Sequence, residues 1–168
     1  MNAGVNVANV MRKATKILHT LASCGLIGAL MGYIVILLAA PQDTAESYAN
    51  ARAAIAALCN YLLLPSLAVA LMSGLLSMVV HPPFRETRWA WLKALLGLST
   101  FEATLGIIGA KATAAADFSA RVAAGEGHQK ALADAIANEW GSLVAIMVLA
   151  VANVVIGVWR PRLWKKAD

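Results

Sequence analysis

The chain has 168 residues, of which 60% are hydrophobic and only 14% charged, with a mean hydropathy of +0.69 and a formal net charge of +5. A soluble domain carries roughly 25% charged residues to keep its surface wet. This composition therefore excludes a soluble enzyme, a disordered tail and a nucleic-acid module, and implies an integral membrane protein.

Four apolar segments approach or exceed the ~20 residues that cross a bilayer. They are residues 17–40, ending at Pro41; 53–80, ending at His81-Pro82-Pro83; 89–110; and 140–159. Backbone groups in lipid must be satisfied within their own segment, so these spans are helices. The expected fold is an all-α four-helix bundle in a single transmembrane domain. Arg12, Lys13 and Lys16 flank the first segment as in a signal peptide. Its apolar stretch is far longer than a signal core of roughly 7–15 residues, so it reads as a retained span.

Ten of the fourteen basic residues fall on one side of this topology: Arg12, Lys13, Lys16, Arg85, Arg88, Lys93, Arg160, Arg162, Lys165 and Lys166. The other side holds Arg52, Lys111, Arg121 and Lys130 with six acids. The positive-inside rule then places both termini in the cytoplasm. Trp89, Trp91, Trp159 and Trp164 gather at the same face, as an interfacial aromatic belt does. The excess charge thus serves orientation and lipid headgroups, with the bilayer as partner, rather than a nucleic acid. Reporter fusions at Ala124 and Asp168 are expected to report opposite compartments, and matching reports would overturn the topology.

Helices 2, 3 and 4 are expected to extend beyond the outer membrane surface. Asp43-Thr44-Ala45-Glu46 reads as a capping pattern, with the Asp43 carboxylate accepting early amide protons. The Ala-rich stretch from Lys111 to Glu139 reads as two extensions of about three turns each, joined by a turn at Gly125-Glu126-Gly127. Cys24 and Cys59 lie at opposite depths, too far apart for a disulfide, and read as buried small apolar residues. No Cys-x-x-Cys pair supplies ligands for zinc or an iron–sulfur cluster. His128, in the outer turn, reads as exposed and isolated.

Ionisable side chains inside spans are costly and are functional candidates by default. Glu102 lies eleven residues past Trp91, about 16 Å along a helix, near the bilayer centre. It shares a wheel face with Leu95, Leu98, Ser99, Gly106 and Gly109, and small residues mark close helix contacts in membranes. Glu102 is therefore expected to face a neighbouring helix as a neutral acid. It either carries protons or orients a ligand, or it donates one structural hydrogen bond to Asn60, Asn153 or a backbone carbonyl.

His19, His81 and Lys93 form a second group, each within a turn or two of the cytoplasmic end of its helix. Nitrogen ligands delivered by facing helices at one depth match the way bundles hold heme iron. Boundary chemistry is the competing reading, with Lys93 snorkelling to headgroups and His81 capping its helix. The wheel groups His19 with Ala22, Ser23, Leu26, Leu30 and Tyr33, while Gly25, Gly28 and Gly32 point the other way. Lys93 aligns with Thr100, Thr104 and Lys111, opposite Glu102. Ser142, Asn153, Gly157 and Arg160 form the stripe expected to face inward on the fourth helix.

Ile17-Leu18-His19-Thr20-Leu21-Ala22, opening a helix that carries Gly25 and Gly28, resembles the start of several small bacterial inner-membrane proteins. These are an uncharacterised four-helix family, the copper-resistance D-type membrane domain and the heme-containing J-type protoporphyrinogen oxidases. Leu64-Pro65, Ser73-Gly74-Leu75-Leu76, Arg88-Trp89-Ala90-Trp91-Leu92-Lys93 and Trp159-Arg160-Pro161-Arg162 extend the resemblance over most of the chain. In the oxidases a first-helix His and a third-helix Lys are tied to heme and activity, and these fall on His19 and Lys93. The oxidases carry an aromatic residue and paired glycines soon after the His, where this chain has Cys24-Gly25-Leu26-Ile27-Gly28, and Glu102 is foreign to their pattern. The uncharacterised family is thus the nearer likeness. The resemblance implies a bacterial inner-membrane protein that handles heme b or does redox chemistry with it, with His19 as ligand to the heme iron. The alternatives are a non-catalytic accessory subunit, alone as a homo-oligomer or among other membrane subunits, and a proton-coupled transporter built on Glu102.

Overall fold

The structure, a computed structural model, describes residues 2–41, 43–80 and 87–159. Its elements are α1 (Asn2–Ala39), α2 (Ala45–Leu58), α3 (Leu64–Val80), α4 (Arg88–Ala103), α5 (Ala110–Ala123), α6 (Gln129–Ile136) and α7 (Glu139–Trp159). A π turn at Cys59–Leu63 joins α2 to α3, and a second at Thr104–Gly109 joins α4 to α5. The elements thus form four long rods, and four helices are long and apolar enough to cross a membrane: Asn9–Ala39, Ala45–Val79, Arg88–Ala123 and Gln129–Trp159. Among the described residues there is no strand. Large side chains such as Leu38, Met72 and Val158 stand outward, at 73%, 71% and 80% exposure. An apolar belt of that kind is compatible with contact with a lipid bilayer.

The π turns have different origins. Pro65 has no N–H, and its ring collides with the carbonyl four residues earlier in a regular helix. The chain widens just before it, so that the Leu64 N–H reaches the Cys59 carbonyl, five residues back. In the second turn the Ala110 N–H donates to the Leu105 carbonyl. There Gly109 lets Leu64 approach: a Cβ at Gly109 would lie 3.1 Å from the Leu64 Cδ1. The two widened turns pack against each other across the bundle.

The rods pack in a ring, α1 on α3, α2 on α5, α4 on α7 and α1 on α7. The sequence face of α1 is correct: Ala22, Leu26, Leu30 and Tyr33 are all buried. Of the glycines that point the other way, two lie close to a neighbouring rod, since a Cβ at Gly25 would lie 2.6 Å from the Ser66 Oγ and one at Gly32 would lie 3.3 Å from Leu58, whereas Gly28 faces open space. The tight core of Leu30, Tyr33, Ile55, Cys59, Leu63, Leu143 and Ile146 fills the half of the bundle near α2, α5 and α6. The other half, toward Arg12, Lys16 and Arg88, is hollow.

Several expectations need correction. Thr44, not Asp43, caps α2, its hydroxyl accepting from the Ser47 N–H at 3.1 Å. The turn at Gly125 and Gly127 is present, with φ of 81° and 74°, but α6 has only eight residues. Asn138 breaks it from α7 with φ 59°, a left-handed conformation that Asn tolerates better than most residues. Lys111 braces this break by donating to the Ala137 carbonyl at 3.2 Å. Cys24 is exposed rather than buried, because it points away from the α1–α3 seam. His128 is half-buried and stacks on Phe118, ring centroids 6.1 Å apart, because α5 and α6 pack together.

Candidate functional site

The hollow half holds a half-open cavity of about 400 Å³ between all four rods. That is within the ~300–1,000 Å³ of small-molecule and cofactor sites. Its walls are mostly apolar, from residues such as Leu26, Leu67, Leu71 and Met78, and its polar groups are few. They are His19 and Ser23 from α1, Ser77 from α3, Lys93 and Thr100 from α4, and Asn153 from α7, with Arg12, Thr15 and Lys16 toward the rod ends.

His19 is fixed in orientation. Its Nδ1 lies 2.8 Å from the Ala70 carbonyl and 3.1 Å from the Ser73 hydroxyl. A carbonyl only accepts, so Nδ1 carries the proton and donates. Nε2 is then the nitrogen with the free lone pair. The Ser73 hydroxyl is itself anchored on α3, donating to the Val69 carbonyl at 2.6 Å.

Three glycines make room for three of the polar side chains. A Cβ at Gly74 of α3 would stand 3.4 Å from the His19 Cε1, and one at Gly97 of α4 would stand 3.6 Å from the Asn153 Nδ2. A Cβ at Gly157 of α7 would overlap the Lys93 ammonium. Each polar group thus lies against bare backbone of the next rod. This makes a specific prediction. Gly157→Ala should leave folding within ~1 kcal/mol, because only the flexible tip of Lys93 must shift, yet change whatever the cavity binds. Equal ligand affinity in both forms would show that Lys93 has no part in the site.

Two polar atoms near the cavity are buried without a hydrogen-bond partner, the Asn153 Oδ1 and the Thr104 Oγ1. Thr100 and Thr104 are 2% and 0% exposed, as their alignment with Lys93 requires. On α7 the inward stripe runs through Leu143, Ile146 and Ala150 to the cavity residues Asn153 and Gly157. Ser142 instead donates to the Asn138 carbonyl at 3.0 Å, and is spent on the start of its own helix.

The structure brings His19, Lys93 and Asn153 together and separates them from Glu102 and Asn60. His81 lies outside the described residues. Glu102 is not on an inward seam: it is exposed, with Leu95, Leu98 and Leu105 exposed around it at 61%, 46% and 49%. Leu95, Leu98, Ser99 and Gly106 do share its face, as the wheel has them, but the small residues there mark no contact with another rod and the face turns out of the bundle. Only Gly109 leaves that face, because the second π turn lies between and breaks the 100° arithmetic. Gly109 is buried against Leu64, whereas Gly106 faces open space. Asn60 is exposed as well, and its amide donates to the Thr113 hydroxyl at 3.4 Å.

At the opposite end lies a polar cluster that the sequence did not disclose. Arg52 of α2, 4% exposed, donates from Nη1 to the Glu139 Oε1 of α7 at 2.6 Å. The Tyr33 hydroxyl of α1 donates to the same oxygen at 2.6 Å. The remaining guanidinium nitrogens meet the Tyr48 hydroxyl, one turn earlier on α2, at 2.8 and 2.5 Å. Three rods are thereby tied at one carboxylate. The available signal was Tyr33 on the His19 face, since a phenol on a buried stripe needs a polar partner.

Among the described residues no three His, Cys, Asp or Glu side chains are grouped to hold a metal ion. Comparison of the chain with protein-family models, with curated proteins and with solved structures finds no match, so the reading of the cavity rests on its own residues.

Proposed function

We propose that the chain is a small inner-membrane protein, both termini cytoplasmic, whose cavity would hold heme b for redox chemistry or heme handling, with His19 as the residue that would bind the heme iron. The observation that carries this reading is the hydrogen bond from the His19 Nδ1 to the Ala70 carbonyl. Metal-ligating histidines almost always donate their other ring N–H to a carbonyl, carboxylate or water, which fixes the tautomer and raises the basicity of the ligating nitrogen. The surroundings fit the same group. A single imidazole is a poor site for a bare ion, which needs three or four protein ligands, but it suffices for iron whose other donors come from a macrocycle. Apolar walls suit a porphyrin face, and Lys93, Arg12 and Lys16 toward the rod ends suit its two carboxylates. Heme bound there would supply one-electron chemistry; the protein's part is to ligate, orient and exclude water. His81 and Lys93 are the further residues proposed to bind the heme, either as a second nitrogen ligand to the iron or as a partner of its carboxylates.

A proton-coupled transporter built on Glu102 would need a second copy to enclose a path, since Glu102 is on the outer surface of the single chain. An accessory subunit without a cofactor stays as the competing class. The visible spectrum decides between them. Protein purified from heme-replete membranes, or given added heme, should show a Soret band. A colourless, well-folded preparation that takes up no heme overturns the proposal.

A further inference from the structure

Among the described residues four hydroxyl side chains line the cavity, and all four are spent on their own helices. Thr15, Ser23, Ser77 and Thr100 donate to the carbonyls of Met11, His19, Ser73 and Leu96 at 2.9, 2.8, 2.9 and 2.6 Å, the local bond that Ser and Thr make within a helix. Asn153 of α7 differs from them. Its Oδ1 is buried with no hydrogen-bond partner. Among the described residues nothing bonds its Nδ2 either, which lies against the bare backbone of Gly97. A buried amide left unpaired lowers stability, and breaches of this kind gather where a protein binds something.

Resting on the heme reading of the cavity, we infer that Asn153 is its second recognition residue: the amide N–H donates to a small hydrogen-bond-accepting molecule, such as a diatomic gas, held on the side of the heme away from His19. His19 reaches the cavity from the seam of α1 and α3, against Gly74, and Asn153 reaches it from the seam of α7 and α4, against Gly97. Because α3 also packs on α4 and α1 on α7, these seams are opposite walls of the ring. They lie at one level. A Cβ at Gly97 would stand 3.6 Å from the Asn153 Nδ2 and 3.4 Å from the Leu71 Cδ1, and Leu71 follows Ala70, whose carbonyl accepts from His19. Whatever the His19 Nε2 holds therefore presents its far side to Asn153. A carboxamide offers two N–H donors and no charge, which suits a neutral acceptor. The cations lie elsewhere: Lys93 packs on Gly157, one turn further along α7, with Arg12 and Lys16 toward the rod ends.

The test uses the full chain in lipid bilayers, loaded with heme b, reduced and exposed to carbon monoxide, which displaces a nitrogen ligand from ferrous iron whether or not Lys93 supplies one. Asn153→Leu should keep the Soret band, raise the C–O stretching frequency and speed carbon monoxide release roughly 2- to 12-fold, the range of one neutral hydrogen bond. Asn153→Gln, which retains the donor, should restore part of both changes, and Ser23→Ala, at a hydroxyl already spent, should alter neither. The heme-free proteins supply the second readout. Asn153→Leu removes an unpaired polar group, so it should unfold at the same temperature as the wild type or higher. An unchanged C–O stretch in Asn153→Leu with the Soret band present overturns the inference and leaves the heme reading standing. So does an Asn153→Leu protein that folds but takes up no heme, since the amide would then hold the heme itself. A heme-free Asn153→Leu protein that is less stable or fails to fold makes the amide structural and overturns the inference as well. A wild-type protein that takes up no heme overturns both.

Discussion

His19→Ala is expected to abolish the Soret band of the heme-loaded protein, whereas His128→Ala, at the other end of the bundle and stacked on Phe118, should leave it intact. The His19 ring offers the cavity a nitrogen lone pair of fixed direction, because Ala70 and Ser73 hold its other nitrogen. Removing the ring leaves a hole of imidazole size beside Gly74. Free imidazole should enter that hole and restore the band in part, which a purely structural histidine would not do. Ser73→Ala should cost less than tenfold in affinity, below the 10- to 100-fold seen when an outer-shell partner is lost altogether, since the Ala70 carbonyl still accepts. Thermal unfolding of the apo forms separates binding from folding: His19→Ala should stay folded, because its ring is only half-buried. A Soret band unchanged in His19→Ala would remove His19 from the ligand set.

The sequence disclosed the fold through quantities that survive averaging over many residues. Four apolar runs, with a Pro or Gly at each break, each sum over a whole helix, so a single misplaced residue changes nothing. Helix faces were legible over about two regular turns, as with His19 and Leu26, or Lys93 and Thr100. Extrapolation failed where the backbone departs from 3.6 residues per turn. Pro65 announces its π turn, because a missing N–H must be accommodated. Thr104–Gly109 carries no proline, and the face drawn through Glu102 to Gly109 broke inside it. The Arg52–Glu139 pair was hidden for a different reason. Its members are 87 residues apart, and each looks in the sequence like a solvated charge at a helix end. Their meeting depends on α2 and α7 leaning together over Tyr33, a matter of tertiary packing that wheel positions do not encode. Placing the capping carboxylate at Asp43 instead of Thr44 is a smaller slip of the same kind, one residue at a helix boundary where several side chains can accept.

Glu139→Ala is expected to lower stability by roughly 3–5 kcal/mol, the cost of leaving one member of a buried ion pair without the other. The Arg52 and Glu139 side chains are 5% and 11% exposed, so water cannot take over the lost contact. Arg52 cannot escape by losing its proton, since a guanidinium stays charged in proteins. It also cannot swing free, because Tyr48 holds two of its nitrogens and its ring lies 5.0 Å beneath the guanidinium carbon. Tyr33→Phe removes only the second donor to the same oxygen and should cost about 1 kcal/mol. Glu139→Gln should fall between the two, since the amide oxygen still accepts from Arg52 and Tyr33 but the charge is unmatched. The diagnostic variant is the double replacement Arg52→Met with Glu139→Leu. It removes both charges and fills the space with apolar atoms, so it should recover most of the loss or exceed the wild type. The cycle is read by equilibrium unfolding in detergent micelles, with the coupling between positions 52 and 139 taken from the two single changes and the double. A coupling below ~0.5 kcal/mol would mean that the pair is solvated and that α1, α2 and α7 are held at this end by the apolar core around Leu30 and Leu143 alone.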